Sequence, residues 1–212
     1  MRALLISALL LVSSIAASAQ SPAPSPSPRS PHLYVQLVEK AKRGDGVNFI
    51  ELRTAFADWQ CGENTDAPNR QAMVDAFNAK DYAKAAELVE GVLDYEYIHR
   101  GLHLAAEDAY RHLGNTKKAD EHKAVAEKLL EALLTSGDGK TAKTAYRVLS
   151  IREEYFIMNK LGYETRSQAL VAEGDRMFDV LSGVDPNTKK EVSLYFDITS
   201  FFGGCERSRK KP

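Results

Sequence analysis

Leu33, Tyr34, Leu37, Val38 and Ala41 recur at helical spacing and the run stops at Gly44-Asp45-Gly46, so the pattern predicts a first helix over 33–43. Phe49, Leu52, Phe56 and Trp59 repeat that spacing for a second helix, and the polar stretch 60–69, with Gly62 and Pro68, reads as a loop. Helical patterning then persists to about Thr135, where Ser136-Gly137-Asp138-Gly139-Lys140 breaks it. Beyond this point the period shortens. Ala145–Leu149 suits a strand, and Ser150-Ile151-Arg152-Glu153 has the form of a capping box ahead of a helix over 152–161 closed by Gly162. Segments 168–171, 177–181 and 192–199 predict three further strands, with Asp185-Pro186-Asn187-Thr188 turning the chain before the last. Helices followed by a small, mostly antiparallel sheet with one helix make an α+β layout.

The helical half contains an echo. Tyr82-Ala83-Lys84-Ala85 and Thr116-Lys117-Lys118-Ala119 stand 34 residues apart, the period of a tetratricopeptide helix hairpin. Tyr110, Gly114, Ala119 and Ala126 fall where that repeat places its aromatic, its turn glycine and its small packing residues, while Ala76, Lys80 and Val92 replace three of the four in the first copy. Residues 69–132 thus resemble tetratricopeptide hairpins. Two copies are too few to bury a solenoid's faces, so the expectation is a helical region over 33–135 with a small α/β module, 136–203, packed on it.

The ends of the chain speak of destination. Met1-Arg2, the apolar run 3–16 and the small residues Ala17-Ser18-Ala19 form the pattern of a secretory signal, expected to be removed as residues 1–19 and too short to span a bilayer. Residues 20–32, rich in alternating Pro and Ser, are expected to be an extended linker, and 204–212 a basic tail. Export to the periplasm or beyond the cell is the expectation. In such an oxidising compartment Cys61 and Cys205 either pair or remain two thiols, and the sequence leaves both open. With 28 Lys+Arg against 29 Asp+Glu the charge balance excludes a dedicated nucleic-acid binder, and no later apolar run suggests a membrane span in the mature chain.

Candidate chemistry concentrates in three places. His99, His103 and Glu107 lie at i, i+4 and i+8 on one helix face, and folding about Gly114-Asn115 brings His122 level with Glu107. His103, Glu107 and His122 then either satisfy one another as a polar cluster between helices or, with His99, hold a metal ion such as zinc. Arg100 stands where a zincin helix carries its glutamate, so that protease motif is absent. Gly139-Lys140-Thr141 fails as a phosphate loop because Leu134 occupies the position of the first glycine; a helix C-cap with Gly137 left-handed is expected there instead. Among the carboxylates, Glu153 is claimed by the capping box, which leaves Glu154 and Asp138 as candidates for acid/base work.

The string Ser136-Gly137-Asp138-Gly139-Lys140, followed by Thr144-Ala145, Glu153-Glu154-Tyr155, Gln168 and Tyr195-Phe196-Asp197-Ile198, resembles the domain-of-unknown-function 4919 family of exported bacterial proteins, over about Tyr34 to Phe202. The chain departs from the pattern at Asp175-Arg176-Met177-Phe178, where a His and an aromatic are expected before Asp179, and at Asp197 in place of Asn. The resemblance implies a fold and an export route and assigns no chemistry. The functional expectation is a non-catalytic module that binds a protein or peptide and needs no cofactor. The alternative is a metal-dependent hydrolase of the cell envelope built on His103, His122 and a carboxylate among Glu107, Asp138 and Glu154.

Overall fold

Helix α1 (Leu33–Lys42) begins where His32 Nδ1 accepts the Tyr34 N–H at 3.2 Å, and it packs its Tyr34, Leu37 and Val38 face against α2 (Phe49–Gln60). Asn48 caps α2 by accepting from Ile50 N and Glu51 N. Leu52, Ala55 and Phe56 complete that core with Tyr97, Ile98 and Leu129, and the Tyr34 hydroxyl accepts the Tyr97 N–H at 3.1 Å. The computed structural model describes residues 32–60 and 69–202, all within one compact unit. The signal segment 1–19, the linker up to Pro31, Cys61, Cys205 and the tail 204–212 lie outside the described residues.

Two helical hairpins follow, α3 (Arg70–Asn78) with α4 (Tyr82–Leu93), and α5 (Arg100–His112) with α6 (Thr116–Leu134). The 34-residue echo reaches down to single hydrogen bonds. Asp81 N donates to Ala76 O and Asn115 N to Tyr110 O, both at 2.9 Å, while Asp81 and Asn115 side chains cap Lys84 N and Lys118 N. Lys80 takes the left-handed conformation (φ 57°) that Gly114 takes in the second copy (φ 72°). Each side-chain cap contributes about 1 kcal/mol. Between the helices, Ala85, Ala106, Ala109 and Ala119 are fully buried, and their small side chains allow close approach around Val89, Leu93 and Leu102.

The Ser136–Lys140 turn joins this region to the sheet. Its left-handed residue is Gly139 (φ 69°), not Gly137 as expected from the sequence. Gly137 is required for a different reason: a Cβ there would sit 2.4 Å from the carbonyl oxygens of Thr144 and Ala145. Asp138 N and Gly139 N both donate to Thr144 O at 2.9 Å, and Gly139 O accepts from Tyr195 N at 2.7 Å, which fastens the turn to the last strand.

The sheet has the order β1-β4-β3-β2, with β1 (Tyr146–Arg147), β2 (Glu164–Glu173), β3 (Arg176–Val184) and β4 (Glu191–Asp197). β2, β3 and β4 run antiparallel, whereas β1 lies parallel to β4, Tyr146 opposite Phe196. Parallel neighbours need a long crossover, supplied here by α7 (Ile151–Lys160) and the β2–β3 hairpin. The strand expected over 145–149 shrinks to two residues, because Ala145 closes a short 3-10 turn and the Leu149 N–H is taken by Glu153. Ile157 and Met158 of α7 pack on Leu181, Leu194 and Phe196, and Leu133 at the end of α6 joins the same core. Among the described residues no helix is long and apolar enough to cross a membrane.

Candidate functional site

Helix α7 has two working faces, set by its 100° step. Residues 152, 153 and 156 face a cleft of about 730 Å³ shared with α2, α5 and α6, while 154, 157 and 158 are buried toward the sheet. The cleft floor is apolar, built from Phe56, Leu129, Leu130, Leu133 and Phe156. Its rim is charged. Arg53, only 6% exposed, forks onto Glu153, with Nη1 to Oε1 at 2.8 Å and Nη2 to Oε2 at 2.9 Å, and Nη2 also reaches Arg147 O. Glu153 Oε2 in addition accepts the Leu149 N–H at 2.8 Å.

This corrects the expected capping box. The Ser150 side chain makes no cap bond, and Glu153 reaches back to Leu149 N and across to Arg53 instead. The Arg53 fork and the Leu149 N–H take the carboxylate oxygens that a capping box would turn to the Ser150 N–H. Arg53 is not among the candidates that motif and spacing single out; a cation beside Leu52 in an otherwise apolar stripe is the signal for it in the sequence.

On the other face of α7, Glu154 is fully buried and stands against Asp179, which is 2% exposed in the middle of β3. Among the described residues neither Glu154 oxygen nor Asp179 Oδ1 meets a donor, and Gln168 Nε2 donates to Asp179 Oδ2. Two ionised carboxylates have no proton to offer each other, whereas one proton between them satisfies both. Burial first, and then the Asp179 carboxylate, push Glu154 up to about 8, so Glu154 holds that proton at neutral pH. Glu154, an acid/base candidate from the sequence, is therefore paired with Asp179, which motif and spacing do not single out. An aspartate between Phe178 and Val180 in a buried strand was the signal that could have found it. Tyr155, the third residue of that segment, is exposed.

The histidines meet as expected, but with a different carboxylate. His103, fully buried, places Nε2 2.7 Å from Tyr97 O and Nδ1 3.1 Å from His122 Nδ1. A carbonyl only accepts, so His103 Nε2 carries a hydrogen. Burial lowers His103 to about 4 and keeps its ring neutral, and Nδ1 then accepts from His122. His122 Nε2 in turn lies 3.3 Å from Glu90 Oε1, so the His122 ring bridges the His103 ring and the Glu90 carboxylate. Glu90 also receives the Tyr110 hydroxyl at 2.8 Å; chiefly through the His122 bond it is held down to about 2. Lys118 Nζ closes the network on Tyr110 at 2.8 Å.

Glu107, expected in this cluster, instead accepts from Arg111 Nε of its own helix at 3.1 Å, with its side chain 18% exposed. The hairpin's twist gives Glu90 of α4 the better approach to His122, a neighbour that helix spacing within one hairpin does not reveal. His99 stands apart at the N-cap of α5, where it lines the cleft, with its Nδ1 buried and unbonded. Among the described residues no three His, Cys, Asp or Glu side chains converge as a metal-holding set.

Asp138 is spent on its own turn. Bonds from Thr144 and the Lys140 N–H lower it to about 2, and its carboxylate also pairs with the Lys140 ammonium at 3.3 Å. The Ser136–Lys140 segment accordingly acts as a joint: Ser136 Oγ accepts the Arg147 N–H and donates to Leu133 O.

Fold and site together define an α+β protein in which one helix, α7, divides an open amphipathic cleft from a buried carboxyl pair. The chain belongs to the family described as Domain of unknown function (DUF4919), whose model matches residues 56–206. Comparison with curated proteins and with solved structures found no match. The matched span contains Ser136–Lys140, Glu153, Glu154, Tyr155, Gln168 and Asp179, hence both the joint and the carboxyl pair.

Proposed function

We propose that this is an exported, non-catalytic protein that binds a peptide segment of a partner in the cleft beside α7. The observation that carries the reading is the cleft itself, about 730 Å³ with an apolar floor and a charged rim, the size and character of a specific binding site. Its walls come from α2, the α4–α5 connection, α6 and α7, so the helical region and the module after it contribute jointly. The perturbed acids and the histidine network point inward and are occupied in holding the fold, which favours binding over catalysis. The signal-like start, Met1 to Ala19, and the Pro/Ser spacer after it support export.

Leu130 lines the cleft and is half-buried, so Leu130→Arg fills the floor with charge at small expense to the core. Random peptides displayed against the purified protein are expected to yield binders of about micromolar Kd that lose at least about tenfold on Leu130→Arg, with its thermal unfolding little changed. Binders indifferent to Leu130→Arg would take the cleft out of the reading. No enrichment at all would overturn it.

A further inference from the structure

The lining of the cleft is unbalanced in charge. Its two acids are both neutralised, Glu153 by Arg53 and Glu96 by Arg70. Arg100 and Arg152 border the same cleft and have no acidic partner among the described residues. Arg100 is held in place by stacking its guanidinium over the Phe156 ring, 5.5 Å from the centroid, and its Nε is buried without a hydrogen-bond partner. His99 Nδ1, next to it, is a second buried polar atom with none. Buried polar atoms without partners cost about 1–3 kcal/mol each in a finished fold, and the Arg100 Nε–H can only donate, so an occupant that supplies an acceptor is favoured here.

The same wall collects two helix starts. Helices α5 and α7 begin at His99 and Ser150, neither of which caps its first turn with a side chain, and both residues line the cleft. N–H groups at a helix start and unpaired guanidinia favour the same kind of guest, a compact anion with several acceptor lone pairs. Within reach of that wall lies the apolar floor at Leu130 and Phe156.

Resting on the reading of the cleft as a peptide site, we infer that it selects the C-terminal carboxylate of a peptide ending in a bulky apolar residue. Arg100 and Arg152 receive the carboxylate, and Leu130 and Phe156 seat the final side chain. The last residue of a chain carries its carboxylate and its side chain on one carbon, so a cationic wall directly above an apolar floor is met by that single residue. An internal Asp or Glu has to borrow its apolar group from a neighbour.

The probe is a fluorescein-labelled hexapeptide, Gly-Ser-Gly-Ser-Leu-Phe, prepared with a free C-terminal acid and as the C-terminal amide, its binding to the full purified chain followed by anisotropy. The expected result is that the acid binds at least about tenfold more tightly than the amide, and that Arg100→Gln with Arg152→Gln erases the difference. The single variants rank the two arginines and guard against a folding defect in the double one. Equal binding of acid and amide would overturn the carboxylate assignment, while leaving the cleft as a peptide site if Leu130→Arg still weakened both. A preference for the acid that survives in the arginine variants would overturn the roles given to them. Dodecanoate displacing the labelled acid at lower concentration than the unlabelled hexapeptide would overturn the peptide end in favour of a fatty carboxylate. If displayed peptides bind in the cleft and the hexapeptide acid does not, the carboxylate inference alone falls.

Discussion

Two buried polar clusters in this protein solve the same problem in opposite ways. Around His103, every donor finds an acceptor: Tyr97 O, His122, Glu90, Tyr110 and Lys118 form one closed chain between α4, α5 and α6. Around Glu154 donors are scarce; two carboxyl groups share a proton, and among the described residues Gln168 supplies the one further hydrogen bond to them. The first arrangement mixes donors and acceptors, so it is satisfied by hydrogens within the cluster. The second holds acids alone and is satisfied only by taking up a proton from solution. The difference teaches that burial by itself does not say whether a polar group stabilises a fold; the donor count around it does.

The largest expected effect comes from opening the closed cluster. His103→Ala leaves Tyr97 O and His122 Nδ1 without their partner and creates a cavity at a fully buried site, so urea unfolding at pH 7 should show a loss of about 4 kcal/mol. A loss below about 1 kcal/mol would mean the network is not formed.

Acid and base should then pull stability in opposite directions. His103 is lowered from 6.5 to about 4, so the unfolded chain binds its proton first, and stability present above pH 6.5 is lost as pH falls toward 4, by about 3 kcal/mol from this group. Glu154 is raised from 4.5 to about 8, so its contribution is complete below pH 4.5 and is lost as pH rises through 8. Glu154→Gln keeps the shape and offers Asp179 a permanent N–H donor. That variant should flatten the alkaline limb and gain about 1–2 kcal/mol at pH 8. Unchanged unfolding midpoints for wild type and variant from pH 5 to 8.5 would break the contrast between the clusters.

The smallest effect sharpens the comparison by exclusion. Glu107 belonged to the histidine cluster on sequence grounds, but its observed partner is Arg111 on the same helix. Glu107→Gln should shift stability at pH 7 far less than His103→Ala does, because it removes one end of an ion pair to a half-exposed Arg111 and leaves the histidine network intact. A loss of 2 kcal/mol or more would restore Glu107 to the cluster.

What the sequence determined alone is the part governed by short-range geometry. Helix faces, the breaker at 136–140, the three antiparallel strands and the 34-residue echo follow from spacing and turn chemistry, and the hairpin turns at Lys80 and Gly114 repeat the same hydrogen bonds because the same local sequence logic operates twice. The meeting of His103 with His122 was legible for the same reason, since one turn joins their helices. Glu90 in place of Glu107, Asp179 opposite Glu154, and Arg53 on Glu153 were decided by the tertiary structure. These partners are 32, 25 and 100 positions apart, on separate elements, and which side chains meet there depends on how elements twist and pack, a relation no periodicity records. The cleft belongs to this second class. Its floor comes from α2, α6 and α7 and its cationic wall from the starts of α5 and α7, so it exists only once those elements have come together.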